Sequence, residues 1–153
     1  MEKLLTVSVA TYNGAATLQK ALESCLVADE SLQALLDVII IDDMISSGES
    51  MLDVAKQLKE RNAKRVFVCT TYGLFTDGLD KFDEYYEKGW LDRVITTNLN
   101  YRIPELLTRP YYVEANMSKY LASIMDIINH DVSVEKVRSS NEKIMDLMKR
   151  VNQ

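Results

Sequence analysis

The sequence is short of several residue types, and each shortage removes a class of protein. It has two cysteines, Cys25 and Cys69, in 153 residues. Two isolated thiols make neither a disulfide framework nor a metal-ligand cluster. Both lie in apolar patterns, which fits buried free thiols in a reducing, cytoplasmic compartment. There is one histidine, His130, near a helix end beside Asp131, where it complements the helix dipole rather than serving as a catalyst. Basic residues are outnumbered, 18 against 23 acidic, for a net charge of −5. That balance argues against a general nucleic-acid or anionic-membrane binder. No run reaches the roughly 18 apolar residues that a membrane-spanning helix requires. The N-terminus has no basic region followed by a small-residue cleavage site, so no secretory signal is read. There are no internal repeats and no low-complexity linkers.

What remains is an ordinary globular composition, 47% hydrophobic and 27% charged, in a length that suits one domain. Strand-like and helix-like patterns alternate. Residues 6–11 (TVSVAT) form a β-branched run, closed by the turn Tyr12-Asn13-Gly14. Residues 17–27 place Leu18, Ala21, Leu22, Cys25 and Leu26 on one helical face. Residues 37–41 (DVIII) read as a strand buried on both faces. A polar stretch, 42–49, leads into a helix over 50–61, with Met51, Val54, Ala55 and Leu58 in register and Asn62 as its C-terminal cap. Strands follow over 65–70 and 91–96, with a helix over 79–88 between them, capped by Thr76 and Asp77.

Residues 98–110 hold both prolines and read as a loop, and 111–113 add a short strand. Ser118 caps a helix through His130, and a last helix covers about 133–151. Its narrow apolar seam, Val137 to Val151, suits intrachain packing or dimerisation equally. Tyr85, Tyr86, Tyr111 and Tyr112 read as aromatics at the core edge. The expectation is an α/β fold: a three-layer αβα sandwich with a mainly parallel, Rossmann-like sheet. Residues 1–132 form one domain and 133–153 a C-terminal helix. In such sheets ligands bind beyond the C-terminal strand ends.

One segment carries chemistry: residues 38–51, VIIIDDMISSGESM. Four apolar residues end in Asp42 and Asp43, and a loop with Ser46, Ser47 and Gly48 enters a helix at Glu49 and Ser50. The helix start offers unsatisfied N–H groups and partial positive charge to an anion. Gly48 lets backbone approach a phosphate, and the serines add hydroxyl donors. A serine at 47 or 50 acting only as helix cap is the plainer alternative. Asp42 and Asp43 accept hydrogen bonds from sugar hydroxyls, or hold Mg²⁺ weakly through water. A phosphate with two vicinal hydroxyls describes a pentose 5-phosphate.

This segment resembles the signature loop of the type I phosphoribosyltransferase fold. The resemblance extends over residues 38–132, through KRVFVCTTYG at 64–73 and DRVITTNL at 92–99, to the C-terminal part of the ribose-phosphate pyrophosphokinases of nucleotide biosynthesis. It implies a phosphoribosyltransferase-like fold, a ribose 5-phosphate site at Asp42, Asp43, Ser46, Ser47, Gly48, Glu49 and Ser50, Mg²⁺ as cofactor, and a homo-oligomer. Two departures bear on it. Many members have Asp at the place of Ser46 and a small neutral residue at that of Glu49. The family's ATP-binding half and basic catalytic loop have no counterpart ahead of Val38, where the only Lys or Arg residues are Lys3 and Lys20. No catalytic residue is therefore assigned, and whether the chain is an enzyme is left open.

Residues 4–26 resemble instead the opening of a family 2 glycosyltransferase, whose second strand also ends in Asp-Asp. The chain thus looks like a fusion of two families at a shared strand, with residues 1–37 as the glycosyltransferase-like segment. That family's later Asp-x-Asp is not found. Three functions follow: a fragmentary pyrophosphokinase that binds a phosphosugar weakly and lacks full activity, a non-catalytic interaction module, or a remnant that binds a nucleotide sugar.

Overall fold

The structure, a computed structural model, describes residues 6–10, 37–131, 144–145 and 148–150. The chain divides into two compact units, Met1–Ala115 and Asn116–Gln153. The expected turn at Tyr12, the helix over 17–27, Cys25 and most of the last helix lie outside the described residues.

The first unit is a five-stranded, wholly parallel sheet in sequential order. Its strands are β1 (Thr6–Ala10), β2 (Asp37–Ile45), β3 (Arg65–Gly73), β4 (Arg93–Thr97) and β5 (Tyr112–Ala115). β1 pairs with β2 in the register Val7↔Val38 to Ala10↔Ile41, as neighbouring parallel strands joined by a crossover do. Helix α1 (Glu49–Glu60) links β2 to β3, and α2 (Asp80–Glu87) links β3 to β4. A parallel sheet with flanking helices is the α/β architecture expected. The core joins Val38, Ile40, Val66, Val68 and Val94 of the sheet to Met51, Leu52, Val54, Ala55 and Leu58 of α1 and Phe82 of α2. These are the alternating strand positions and the single helix stripe that the two periodicities select.

Cys69 lies on the other strand parity and is only half-buried, not fully buried as its apolar run suggests. Burial still pushes its thiol up, away from the reactive thiolate.

Charged residues hold the rim of the sheet. Asp37 is buried, and Arg65 Nε donates to its Oδ1 at 2.9 Å. That hydrogen bond holds the Asp37 carboxyl below the usual carboxylate range. Asp92 Oδ2 accepts the Val66 N–H at 2.8 Å and pairs with Lys59 at 2.7 Å, tying the end of α1 to β3. Asp83 of α2 accepts from the Tyr111 hydroxyl at 2.7 Å and from Arg109 Nε at 2.9 Å. Burial, then this carboxylate, pushes the Tyr111 phenol well above its usual value. Tyr111 is fully buried; Tyr85, Tyr86 and Tyr112 pack partly buried against the core, the edge positions expected.

Three local readings change. The stretch 98–110 is not all loop: Pro104–Thr108 is a 3₁₀ turn, opened by the proline that suits a first helical position. Asp77 and Thr76 do not cap α2, whose N-cap is Leu79 with no side-chain cap; Thr76 Oγ1 donates to Asp77 Oδ1 at 3.1 Å instead. Asn62 does close α1, from the left-handed region (φ 65°), one residue past the Arg61 cap. In the second unit, α3 (Ser118–Asn129) takes Ser118 as its first residue rather than its cap. The Ser118 N–H donates to Asn116 Oδ1 at 2.9 Å. His130 closes that helix, its ring Nδ1 2.9 Å from the Asp126 carbonyl oxygen, in keeping with a helix-end role. Residues 144–145 and 148–150 are helical.

Candidate functional site

All five strands point the same way, so their C-terminal ends share one edge of the sheet. Asp42 and Asp43 stand there, inside β2 rather than after it. The strand runs on to Ile45 because β3 continues to pair with it, Met44 opposite Tyr72 and Ile45 opposite Gly73. The pairing skips Asp43. Its N–H instead donates to the Asp42 carboxylate at 2.8 Å. The apolar alternation also slips here, since Ile40 and Ile45 are both fully buried although five positions apart. Asp42 is half-buried and Asp43 exposed.

The loop beyond is clamped from the side. The Leu74 N–H donates to the Ile45 carbonyl at 2.8 Å and the Thr76 N–H to the Ser46 carbonyl at 3.0 Å. Between those two donors lies Phe75, a buried aromatic held at φ 50°, in a region that bulky residues avoid. Its ring meets Phe82 edge-on at 5.1 Å. Phe82 in turn lies against Gly48. A Cβ on Gly48 would fall 2.2 Å from Phe82 Cζ, and φ at Gly48 is 82°. Only glycine satisfies both the close approach and the left-handed backbone.

Gly48 is the N-cap of α1, so neither Ser47 nor Ser50 caps it in the usual way. The Gly48 carbonyl accepts the first intrahelical bond, from Leu52 N at 2.9 Å. The Ser47 hydroxyl lies 3.5 Å from the Glu49 N–H, at the outer limit of a hydrogen bond. No side chain caps the helix start, which leaves the amides of its first turn pointing out beside Ser46, Ser47 and Ser50. Glu49 is exposed, and its carboxylate is ion-paired with Lys81 of α2.

The structure places the seven expected residues at one edge of the sheet: Asp42 and Asp43 at the end of β2, Ser46, Ser47 and Gly48 in the connection, and Glu49 and Ser50 in the first turn of α1. It adds several that local patterns did not reveal. Gly73 permits close packing, since a Cβ there would meet Phe75 Cε2 at 2.6 Å and Thr96 Cγ2 at 2.9 Å. Asn100 Nδ2 donates to the Gly73 carbonyl at 2.8 Å, and Thr97 Oγ1 to the Thr71 carbonyl at 2.6 Å. These contacts brace the segment that clamps the loop. Near them, Arg102 pairs with Glu114, and Asn100 Oδ1 and Arg102 Nε are buried without a protein partner. The glycine at 73 and the Phe75–Phe82 spacing were the only signals in the sequence.

A separate groove of about 470 Å³ lies between α1 and α2, lined by Glu49, Asp53, Lys56, Lys81, Tyr85 and Trp90 among others. Lys56 and Lys88 each sit 4.8 Å from the Trp90 ring centre. Two pairs of its charges are bound to one another, Lys81–Glu49 and Lys88–Glu84, and Lys56 lies 3.9 Å from Glu60 just outside it. It touches the loop only through Glu49. No three acidic, histidine or cysteine side chains converge as a metal cage among the described residues. Asp42 and Asp43 supply oxygens from successive strand positions, a donor set too small for a dedicated Mg²⁺ site.

Residues 26–144 match the family described as the phosphoribosyl synthetase-associated domain. The chain belongs to that family. Curated relatives agree: the ribose-phosphate pyrophosphokinase of Shewanella oneidensis is 32% identical over 103 residues, 67% of this chain and 32% of its own length. That of Mycoplasmopsis pulmonis is 31% identical over 94 residues, 59% of this chain and 28% of its own. The chain spans about a third of the length of these relatives. Among solved structures, phosphoribosylpyrophosphate synthetase from Mycobacterium smegmatis superposes with a TM-score of 0.55 at 19% identity. That match covers 82% of this chain and 45% of the other, and carries the fold alone. No helix among the described residues is long and apolar enough to cross a membrane.

Proposed function

We propose that this stretch of phosphoribosyl synthetase-type chain binds the ribose 5-phosphate of a pyrophosphokinase reaction and does not complete that reaction by itself. One observation carries the reading: the uncapped start of α1, held in place by Gly48 against Phe82, directly follows two carboxylates at the sheet edge. The amides of the first turn and the hydroxyls of Ser46, Ser47 and Ser50 receive the 5-phosphate. Asp42 and Asp43 accept hydrogen bonds from the ribose hydroxyls. Mg²⁺, when present, travels on the phosphates of the ligand, with the two aspartates as oxygen partners for its water shell. Transfer of pyrophosphate needs positive groups around the phosphates in flight, and the described site offers only Lys81, which is committed to Glu49. The setting is cytoplasmic, and the working form is a homo-oligomer.

Titration calorimetry tests this reading. Ribose 5-phosphate is expected to give heat with the 153-residue chain at millimolar ligand. Asp43→Ala and Ser47→Ala should each weaken it about tenfold or more, since each removes a hydrogen bond with a charged partner. Binding unchanged in both variants would sink the assignment. Addition of ATP and Mg²⁺ is expected to give no phosphoribosyl pyrophosphate.

The glycosyltransferase-like reading of residues 4–43 is supported by the β1–β2 pairing, which suits a strand–helix–strand opening. Protection by a uridine or guanosine diphosphate, with no response to ribose 5-phosphate, would favour it.

A further inference from the structure

Glu49 occupies the first turn of α1, among the amides that the phosphate reading uses. A carboxylate swinging freely there competes with a phosphate for the same positive helix end. It does not swing freely, because Lys81 of α2 holds it. The Lys81 ammonium responds chiefly to this hydrogen bond with Glu49, which raises its proton affinity. The other lysines of the adjoining groove, Lys56 and Lys88, sit over Trp90 and beside Glu60 and Glu84.

We infer that Lys81 is a positioning residue for the phosphosugar loop: it draws the Glu49 carboxylate toward α2 and cancels its charge, so that the helix start stays open to a dianion. The inference rests on the phosphosugar reading above. The pair is solvent-exposed on both sides, so its influence on a bound dianion is Coulombic and screened by salt. A Glu49 carboxylate released to within about 8 Å of a bound dianion weakens it about three- to tenfold in low salt.

The experiment measures the ribose 5-phosphate affinity of the full chain for four proteins: parent, Lys81→Met, Glu49→Gln and the double variant. Calorimetry at about 20 mM salt keeps the Debye length long, near 20 Å. Lys81→Met should bind three- to tenfold more weakly than the parent. Glu49→Gln should bind at least as tightly as the parent, and in that background Lys81→Met should cost clearly less than it does in the parent, because no carboxylate is left to swing onto the helix start. The Lys81→Met deficit should fade at about 0.5 M salt, which a merely structural role would not produce. Thermal melts of the four proteins check that all are folded.

Two outcomes overturn the inference alone: a parent that binds with Lys81→Met unchanged, or an equal loss from Lys81→Met in the Glu49→Gln background. The second would mean that the Lys81 charge acts on the phosphate without Glu49. A parent that gives no heat overturns the phosphosugar reading, and this inference with it.

Discussion

Replacing Gly48 with alanine is expected to destabilise the first unit by about 2–5 kcal/mol and to abolish detectable phosphosugar binding. Two costs add. A Cβ in the left-handed region costs about 1–2 kcal/mol, and φ at Gly48 is 82°. Forcing that Cβ into a packed ring costs about 1–3 kcal/mol more, because it would fall 2.2 Å from Phe82 Cζ and 2.7 Å from Cε2. The chain can relieve both only by moving the loop or the ring, and moving the loop re-aims the first amides of α1. Urea unfolding gives the stability and calorimetry the binding. An unfolding free energy within about 0.5 kcal/mol of the parent, the scatter of ordinary surface substitutions, would show that Gly48 is not held as described.

Phe82→Ala should cost about 3–5 kcal/mol, the usual range for emptying a buried aromatic site. Phe82 is fully buried and joins the core to the loop, one edge against Phe75 and the ring tip against Gly48. The cavity would open directly beneath the loop. This variant should therefore lose binding as well as stability, although residue 82 touches no ligand. The two substitutions also test each other. In Gly48→Ala/Phe82→Ala the Cβ has room, so the steric part of the alanine cost disappears and only the left-handed strain of about 1–2 kcal/mol remains on top of the cavity. Full additivity would mean that the two residues do not share a contact.

The Gly48–Phe82 contact also marks where the sequence stops being legible. The apolar run at 38–41 and the helical stripe at Met51, Val54, Ala55 and Leu58 follow from local periodicity and appear as expected, whereas the parallel pairing of β1 with β2 follows from the crossover rule for parallel strands. The extension of β2 through Asp42 and Asp43 does not follow from either. Two carboxylates end an apolar pattern, and only the partner strand, through Met44↔Tyr72 and Ile45↔Gly73, keeps the backbone extended. Serine propensity likewise favours a serine cap for α1. The glycine takes the place because a phenylalanine from the next helix lies against it, a contact between distant parts of the chain. Asn100 on Gly73 and Lys81 on Glu49 are contacts of the same kind. That Asp42, Asp43 and residues 46–50 stand near one another at the sheet edge was readable because they are close in the sequence. Their supports were not, because the sheet assembles them from three separate connections.

In the proposed function, the segment from Asp42 to Ser50 receives a phosphosugar. The most direct measurement is an NMR titration of the backbone amides with ribose 5-phosphate, with inorganic phosphate in parallel. The account predicts saturable shifts at Ser46 to Met51 with both ligands, and shifts at Asp42 and Asp43 with the sugar phosphate only. No shift in the loop at about 10 mM ligand, a bound on affinity near −3 kcal/mol, would contradict it. So would shifts confined to the Lys56, Lys88 and Trp90 end of the neighbouring groove.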